Sequence, residues 1–192
     1  PFIGNKRMRS VLGDGYVEAV REVRSDVPGS ADFVMYWWHR SAGLVATGGT
    51  QRAGLITTNS ITQTFNRAVV QMWLDAKEPV SLVFAVPNHP WVDSGDGAAV
   101  RISMTVIEAG TRDGTLATVT HESESDDGVA LPEFSERQGV IHADLSVGVD
   151  LASASRLRAN AGTSFMGVTL VGQGFVVEAE GDLRSREPAA MR

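Results

Sequence analysis

Cysteine is absent from the 192-residue chain. This absence excludes disulfide bonds, thiolate metal sites and cysteine nucleophiles, and it is compatible with a reducing compartment. Long apolar runs are lacking as well, because no stretch approaches the ~20 residues that a membrane-spanning helix needs. We therefore expect a cytoplasmic protein without a membrane partner. The hydrophobic share of 43% is sufficient for a globular core.

Positive charge is in short supply. Lys and Arg number 17 against 23 Asp and Glu, which gives a formal net charge of −6. A small domain that binds nucleic acid by itself usually carries a net positive charge. A role on nucleic acid therefore requires a local basic patch or parts of a larger protein. The three cations Lys6, Arg7 and Arg9, in a loop predicted for residues 1–9, form the candidate patch.

Motifs for catalysis or cofactor binding are few. None of the four histidines is spaced as a metal ligand, so each is predicted to be structural or on the surface: His39, His89, His121 and His142. The Gly-Asp-Gly at 13–15 and the Gly-Gln-Gly at 172–174 do not join a strand to a helix in the way a cofactor-binding loop does. We predict plain turns at both, and no P-loop is present.

The apolar pattern alternates between helical and strand periodicity. It predicts helices over 15–24, 32–46 and 65–77, with Ser30 as the N-cap of the second. It predicts strands over 53–58, 80–86, 100–108 and 116–122, with a turn containing Asp113-Gly114 between the last two. This order predicts an α/β fold with a mostly parallel sheet that ends in an antiparallel hairpin.

The character of the sequence changes after Glu122, where the acidic stretch "ESESDDG" begins. Beyond it the chain is rich in Gly, Ser and Ala, with short β signals such as "GVTLVGQGFVVEAE". We place a domain boundary near Gly128. The expected units are residues 1–128, an α/β domain, and residues 129–192, a small irregular region that contains some β structure.

Two stretches favour a functional role. One is Pro1-Phe2 with the cations that follow it, and the other is "NHPWVD", residues 88–93. Ligands of open α/β sheets bind beyond the carboxyl ends of the strands, and the loop that carries Trp91 leaves the strand at 80–86 in that zone. The alternative for Trp91 is that its ring merely caps the hydrophobic core.

Five ordered stretches carry a resemblance to a known family. They begin with "PFIGNKRM", "ADFVMYWWHRSAGLV" and "GLITTNSITQTFNRAVV", and end with "AVPNHPWVD" and "ADLSVGVDLASASRLRANAGTSFMGVTLVGQGFVV". Together they resemble the second half of an adenine-N6 DNA methyltransferase of the Mme-type single-chain restriction–modification enzymes. The resemblance implies the second half of a class I (Rossmann-like) methyltransferase sheet with an antiparallel last strand. Residues 129–192 would begin the target recognition region.

The resemblance also assigns roles to residues. Pro1 and Phe2 would be the last two letters of the catalytic motif Asn-Pro-Pro-Phe, so that the Asn and the first Pro precede this chain. Phe2 and Trp91 would be the two stacking faces for a flipped adenine in double-stranded DNA. Lys6, Arg7 and Arg9 would meet DNA phosphates. S-adenosylmethionine would bind mostly outside this chain, and the fragment alone would be inactive.

Other interpretations stay open. One is a non-catalytic DNA-binding or assembly module derived from such an enzyme. Another is an unrelated α/β enzyme, although no nucleophile or metal motif supports it. In the family fold, the strand that precedes Pro1 would pair with the strand at 53–58, and an unpaired apolar edge invites association. We therefore expect a homodimer, a swapped strand or a covering loop at Leu55 to Thr57.

Overall fold

A computed structural model gives the fold and describes residues 2–91, 100–124, 130–149 and 162. The chain divides into two compact units, Pro1–Ala154 and Ser155–Arg192. The helices and strands reported below all lie in the first unit. The turn predicted for the Gly-Gln-Gly at 172–174 and the β signals at 167–180 fall outside the described residues.

Four helices form the first part of the chain: α1 (Asn5–Leu12), α2 (Asp14–Val23), α3 (Phe33–Ala46) and α4 (Thr64–Leu74). The three predicted helices are confirmed as α2, α3 and α4. The loop predicted for residues 1–9 is wrong from Asn5 onward, because α1 forms there and buries Met8 completely. Ser30 is not the N-cap of α3 either, since Asp32 occupies that position. None of the helices in the described ranges is long and apolar enough to cross a membrane.

Five strands form one sheet in the order β1-β3-β2-β4-β5. They are β1 (Arg52–Thr58), β2 (Val80–Pro90), β3 (Arg101–Ala109), β4 (Gly114–Glu124) and β5 (Ala130–Gly139). The third strand lies between β1 and β2 and is antiparallel to both. As a result, β1 and β2 run in the same direction, and β1 is one of the two edge strands of this sheet.

The predicted strand pairing is wrong in two respects. Among the described strands only β2 and β4 pair in parallel, so the sheet is mostly antiparallel. The strands on either side of Asp113-Gly114 do not form a hairpin with each other. The reason is that β3 already has a hydrogen-bonded neighbour on each edge, so β4 has to pair with β2 instead.

The expected boundary near Gly128 falls on residues outside the described ranges, and it stays a prediction. On either side of it, β4 and β5 pair antiparallel from Gly114 opposite Gly139 to Glu124 opposite Ala130. Part of the region expected to be irregular is therefore a regular strand of the sheet. An isolated bridge between Ile141 and Val147 follows it.

The core lies between the helices and the sheet. Helices α3 and α4 contact each other, and both contact strands. Trp38 of α3 is fully buried, and its indole N–H donates to Thr105 Oγ1 of β3 at 3.2 Å. Burying this ring removes a large apolar surface from water while its polar edge keeps a partner. The packing of α3 on the sheet therefore fixes where the segments before and after this helix lie.

A buried histidine joins α3 to its neighbours. His39 Nδ1 accepts a hydrogen bond from Trp73 Nε1 of α4 at 3.0 Å, and His39 Nε2 lies 2.9 Å from Asp26 Oδ2. An indole N–H can only donate, so Nδ1 must be unprotonated and Nε2 must carry the proton that Asp26 accepts. Burial lowers the pKa of His39 below its ordinary value of 6.5, with a further decrease from nearby Arg24 and an opposing increase from Asp26.

We expect the free energy of unfolding to fall as the pH is lowered below 6.5. In that window the unfolded chain protonates His39 and the folded chain does not, so protons favour unfolding. Urea denaturation at neutral pH and below pH 6.5 measures this loss. His39→Gln, which keeps a donor and an acceptor but does not titrate, should lose less stability over the same pH interval. Equal losses in the two proteins would contradict the assignment.

Candidate functional site at the carboxyl ends of β1 and β2

The carboxyl ends of β1 and β2 lie at the same end of the sheet, on either side of the start of β3. Thr58, the last residue of β1, is opposite Ile102, and Pro90, the last of β2, is opposite Arg101. A 3₁₀ turn over Asn59–Thr62 follows β1 directly. The sequence prediction that Trp91 leaves the end of a strand in this zone is therefore confirmed.

Asn59 connects the two strand ends. Its Oδ1 accepts hydrogen bonds from the Asn88 N–H at 2.9 Å and from the Ser103 hydroxyl at 2.8 Å. The side chain thus joins the turn after β1 to the end of β2 and the start of β3. Sequence reasoning missed this residue. The only available signal was its position immediately after a strand, where an asparagine commonly bonds to nearby backbone.

Asn88 has an unusual backbone conformation, with φ at 54°. It lies at an irregularity in the β2–β3 pairing between Val86 and His89. Bulges of this kind redirect a strand and its side chains, and they are common next to functional sites. Arg101 holds the bulge by donating from Nε to Asn88 Oδ1 at 3.1 Å and from its terminal nitrogen to the Asn88 carbonyl.

Arg101 also forms an ion pair with Glu122 of β4, at 2.7 Å between a guanidinium nitrogen and Oε1. The hydrogen bond from Arg101 lowers the pKa of Glu122. This pair links the bulge to the neighbouring strand β4. Arg101 is therefore occupied by partners within the chain, and its charge serves mainly to hold the end of β2 in place.

Trp91 is half-exposed, at 49%, and it is not part of the core. Its backbone N–H donates to the Val100 carbonyl at 2.9 Å, which closes the loop whose residues 92–99 lie outside the described ranges. The alternative in which Trp91 caps the hydrophobic core is therefore wrong. Nearby, the ring of His89 stacks on Phe134 of β5, with centroids 5.8 Å apart and an interplanar angle of 19°.

Phe2 lies beside the outer edge of β1. It is 56% exposed and lines an open pocket of about 270 Å³ together with residues of α3 and β1: Phe33, Val34, Trp37, Gly54, Leu55 and Ile56. The segment that carries Phe2 thus flanks the strand edge that we expected to be covered or paired. Pro1, the other expected motif residue, lies outside the described residues.

The three expected phosphate contacts all lie on α1. Lys6 and Arg7 are exposed on this helix. Arg9 is exposed but bound, because its guanidinium donates to Asp14 Oδ1 at 3.0 Å and also pairs with Glu18. These hydrogen bonds, which Arg9 donates to Asp14 and to Glu18, raise the pKa of Arg9, with the larger contribution from Asp14. Only Lys6 and Arg7 of the three present a cation without a carboxylate partner among the described residues.

Two short chains of contacts tie the Phe2 and Trp91 segments to the same turn after β1. The Phe2 segment is held by Asp32, which accepts from the Asn5 N–H at 2.8 Å and from the Ser60 hydroxyl at 2.7 Å. The Trp91 segment is held at Asn88 by Asn59. Because Asn59 and Ser60 are adjacent, one turn beyond the carboxyl end of β1 holds Asn5, three residues after Phe2, and Asn88, three residues before Trp91.

No cluster of metal-ligating side chains occurs in the ranges that the structure describes. Gly13, the first residue of the Gly-Asp-Gly motif, has φ at 84° and lies between α1 and α2. It does not follow a strand, so it does not fit a phosphate or cofactor loop. The prediction of a plain turn over the whole motif is wrong, because Asp14 and Gly15 already belong to α2 and only Gly13 links the two helices.

Comparison with solved structures shows a likeness of fold. No family model matches the chain, and no curated protein matches it. A solved structure of the Type IIL restriction-modification enzyme MmeI in complex with DNA is similar to it, with a TM-score of 0.53 and 21% sequence identity. The likeness covers 79% of this chain but 19% of the MmeI chain. The chain therefore shares its fold with about a fifth of that larger enzyme.

Proposed function

We propose that this chain is part of an S-adenosylmethionine-dependent DNA methyltransferase that methylates N6 of a flipped-out adenine, within a restriction–modification system. The observation that carries the proposal is the half-exposed Trp91 at the carboxyl ends of β1 and β2, behind a bulge held by Asn59 and Arg101. The fold shared with MmeI supports the class of the parent protein. The antiparallel β3 between β1 and β2 supports the expected antiparallel last strand of a class I sheet.

The chemistry explains why aromatic faces are needed. The exocyclic amine of adenine is a poor nucleophile, because its lone pair is delocalised into the ring. The base has to leave the duplex before it reacts, which costs a few kcal/mol. Stacking on an aromatic side chain returns ~1–3 kcal/mol per base. We assign this stacking to Phe2 on one side and Trp91 on the other, so that the amine is held in a fixed orientation.

S-adenosylmethionine supplies the methyl group to the amine in this reaction. The described residues contain no strand followed by a glycine-rich loop, so we place the cofactor contacts mostly outside this chain. We assign the hydrogen-bond acceptors for the amine to the Asn-Pro that would precede Pro1. The residues of this chain then contribute the base-stacking rings and, through Lys6 and Arg7, cations for DNA phosphates. Arg9 can contact a phosphate only if its guanidinium leaves Asp14 and Glu18. Such an enzyme would act in the cytoplasm.

The test compares this chain with a longer protein that joins it to the Asn-Pro half of the motif. We expect the longer protein to transfer labelled methyl groups from S-adenosylmethionine to N6 of adenine in duplex DNA, and the chain alone to transfer none. Calorimetry should find no stoichiometric micromolar site for S-adenosylmethionine in the chain alone. Such a site would contradict the placement of the cofactor contacts, and methylation of cytosine instead of adenine would contradict the reaction.

The alternative is a non-catalytic assembly module, and an exposed aromatic surface favours it. The ring of Phe33, which lines the pocket beside the outer edge of β1, has its centroid 6.3 Å from that of Tyr16 and 6.4 Å from that of Trp37. Phe2, Tyr16, Trp37 and Ile56 are each about half-exposed there. Exposed apolar patches commonly mark interfaces. The module would associate through this edge as a homodimer. Neither this chain alone nor the longer protein would then transfer methyl groups.

A further inference from the structure

We propose that Asp32 is a positioning residue, which holds the Phe2-bearing segment at the carboxyl end of β1 by capping α1 from a distance. Asp32 occupies the N-cap position of α3, but its side chain makes no capping hydrogen bond within that helix. Its carboxylate is used entirely between segments that are far apart in sequence.

The first of these contacts reaches α1. Oδ1 of Asp32 accepts from the N–H of Asn5, the first residue of α1, at 2.8 Å. The first N–H groups of a helix have no partner within the helix, and its N-terminus carries a partial positive charge. A carboxylate is therefore the preferred group at this position. The residue before α1, Gly4, has no side chain that could provide the cap itself.

The second contact reaches the turn after β1 and α4. Oδ2 of Asp32 accepts from the Ser60 hydroxyl at 2.7 Å and from Asn66 Nδ2 at 2.8 Å, while Asn66 Oδ1 accepts from the Asp32 N–H at 2.8 Å. Asn66 is 4% exposed. Its buried amide is thus fully satisfied by Asp32 and Ser60, which makes the arrangement costly to disturb.

Together these contacts fix the backbone that follows Phe2. The Ile3 carbonyl accepts a hydrogen bond from the Phe33 N–H at 3.0 Å. Two residues later, the Asn5 N–H donates to the Asp32 carboxylate. The segment is therefore attached at two points to residues 32 and 33, and through Ser60 to the turn that also anchors the Trp91 side. The role of this geometry in orienting Phe2 toward a substrate base rests on the proposed function.

Asp32→Asn removes the charge and one acceptor. Because the Oδ2 side accepts from both Ser60 and Asn66, the amide oxygen of the variant takes that side, and its amide nitrogen faces the N–H of Asn5, which is also a donor. We expect the Asn5 amide to exchange its hydrogen at least about tenfold faster in the variant. The core amides of Val69 and Val70 report global opening. If Asp32 only stabilises the fold, Asp32→Asn should speed up hydrogen exchange at all three amides together. If Asp32 positions the Phe2 segment, the variant should speed up exchange at Asn5 selectively.

Two control variants sharpen the comparison. Asp14→Asn removes an exposed carboxylate that pairs with Arg9 at the other end of α1. It should leave exchange at Asn5 unchanged. Ser60→Ala removes the hydroxyl that donates to Oδ2 but keeps the bond between Asn5 and Oδ1, so its effect at Asn5 should be smaller than that of Asp32→Asn. Unchanged exchange at Asn5 in folded Asp32→Asn would overturn the proposal.

The same variants separate this proposal from the proposed function. If the longer protein methylates adenine, Asp32→Asn should lower kcat more than Ser60→Ala does, and an unchanged kcat would overturn the role of Asp32 in orienting Phe2. If the wild-type longer protein methylates nothing, the proposed function fails. Selective exchange at Asn5 would then still establish that Asp32 holds the segment.

Discussion

Gly114→Ala is expected to destabilise the protein by about 3 kcal/mol, which would be among the largest effects of a single methyl group in this fold. A Cβ at this position would overlap the Leu82 carbonyl oxygen and would lie 2.9 Å from both the Val83 carbonyl carbon and Ile141 Cδ1. Two of these three atoms belong to the backbone of β2. A change of side-chain rotamer cannot relieve such an overlap, so the strands would have to separate.

The effect has a structural cause in the pairing of β4 with β2. This pairing is parallel, with Thr115 opposite Phe84 and Leu116 opposite Ala85, and Gly114 stands directly before it. A side chain there would push away the start of β4 and, with it, the β4–β5 hairpin. Urea denaturation measures the loss in the free energy of unfolding.

Gly15→Ala provides the matched control for Gly114→Ala. Gly15 lies in α2, and a Cβ there would meet nothing within 4 Å. In an exposed helix this change should raise stability by ~0.5–1 kcal/mol. If Gly114→Ala were as stable as the wild type, the close approach of β4 to β2 would be refuted, whatever the result for Gly15→Ala.

Gly114 also shows where sequence reasoning reached its limit. Asp113-Gly114 has the composition of a tight hairpin turn, and local pattern gives no reason to choose otherwise. β4 cannot pair with β3, because β1 and β2 already pair with the two edges of β3. The partner of β4 therefore depends on β1, which lies some 50 residues before β3 in the chain. Hydrophobic periodicity indicates where a strand lies in the sequence, but it does not indicate which other strand it pairs with. Four of the five strands were therefore predicted close to their observed positions, whereas β5 and the pairing of the strands were not.

The residues of the candidate site also differ in whether their roles could be predicted from the sequence. Trp91 was predictable, because a large aromatic in a Pro- and Gly-rich loop after an apolar strand points beyond the strand ends. Asn59 and Asp32 were not predictable as anchors. Their roles depend on contacts with Asn88 and Asn5, each 27 or more residues away, which no local pattern encodes. Arg9 illustrates the opposite case, since a cation that looks free in the sequence has two carboxylates nearby once α1 and α2 form.

Trp91→Ala is expected to reduce methylation by the longer protein about 5- to 150-fold, which corresponds to the loss of ~1–3 kcal/mol of stacking on a flipped base. The effect should fall on the methyl transfer step and leave the binding of S-adenosylmethionine unchanged. Stability should change by less than about 0.5 kcal/mol, because the ring is 49% exposed and lies outside the core. Trp91→Phe keeps an aromatic face and should retain most of the activity.

Two further substitutions decide whether the effect belongs to this site. Phe65→Ala removes a ring of similar exposure, 55%, from α4, and it should change neither methylation nor stability appreciably. Trp38→Ala removes a fully buried indole and should cost ~3–5 kcal/mol of stability. If Trp91→Ala behaved like Trp38→Ala, the ring would be structural after all. If it behaved like Phe65→Ala, the base would stack elsewhere, and the assignment of Trp91 would be wrong even in an active methyltransferase. Loss of methyl transfer with stability retained is the result that the exposed ring, held at the end of β2 through Asn59, Asn88 and Arg101, leads us to expect.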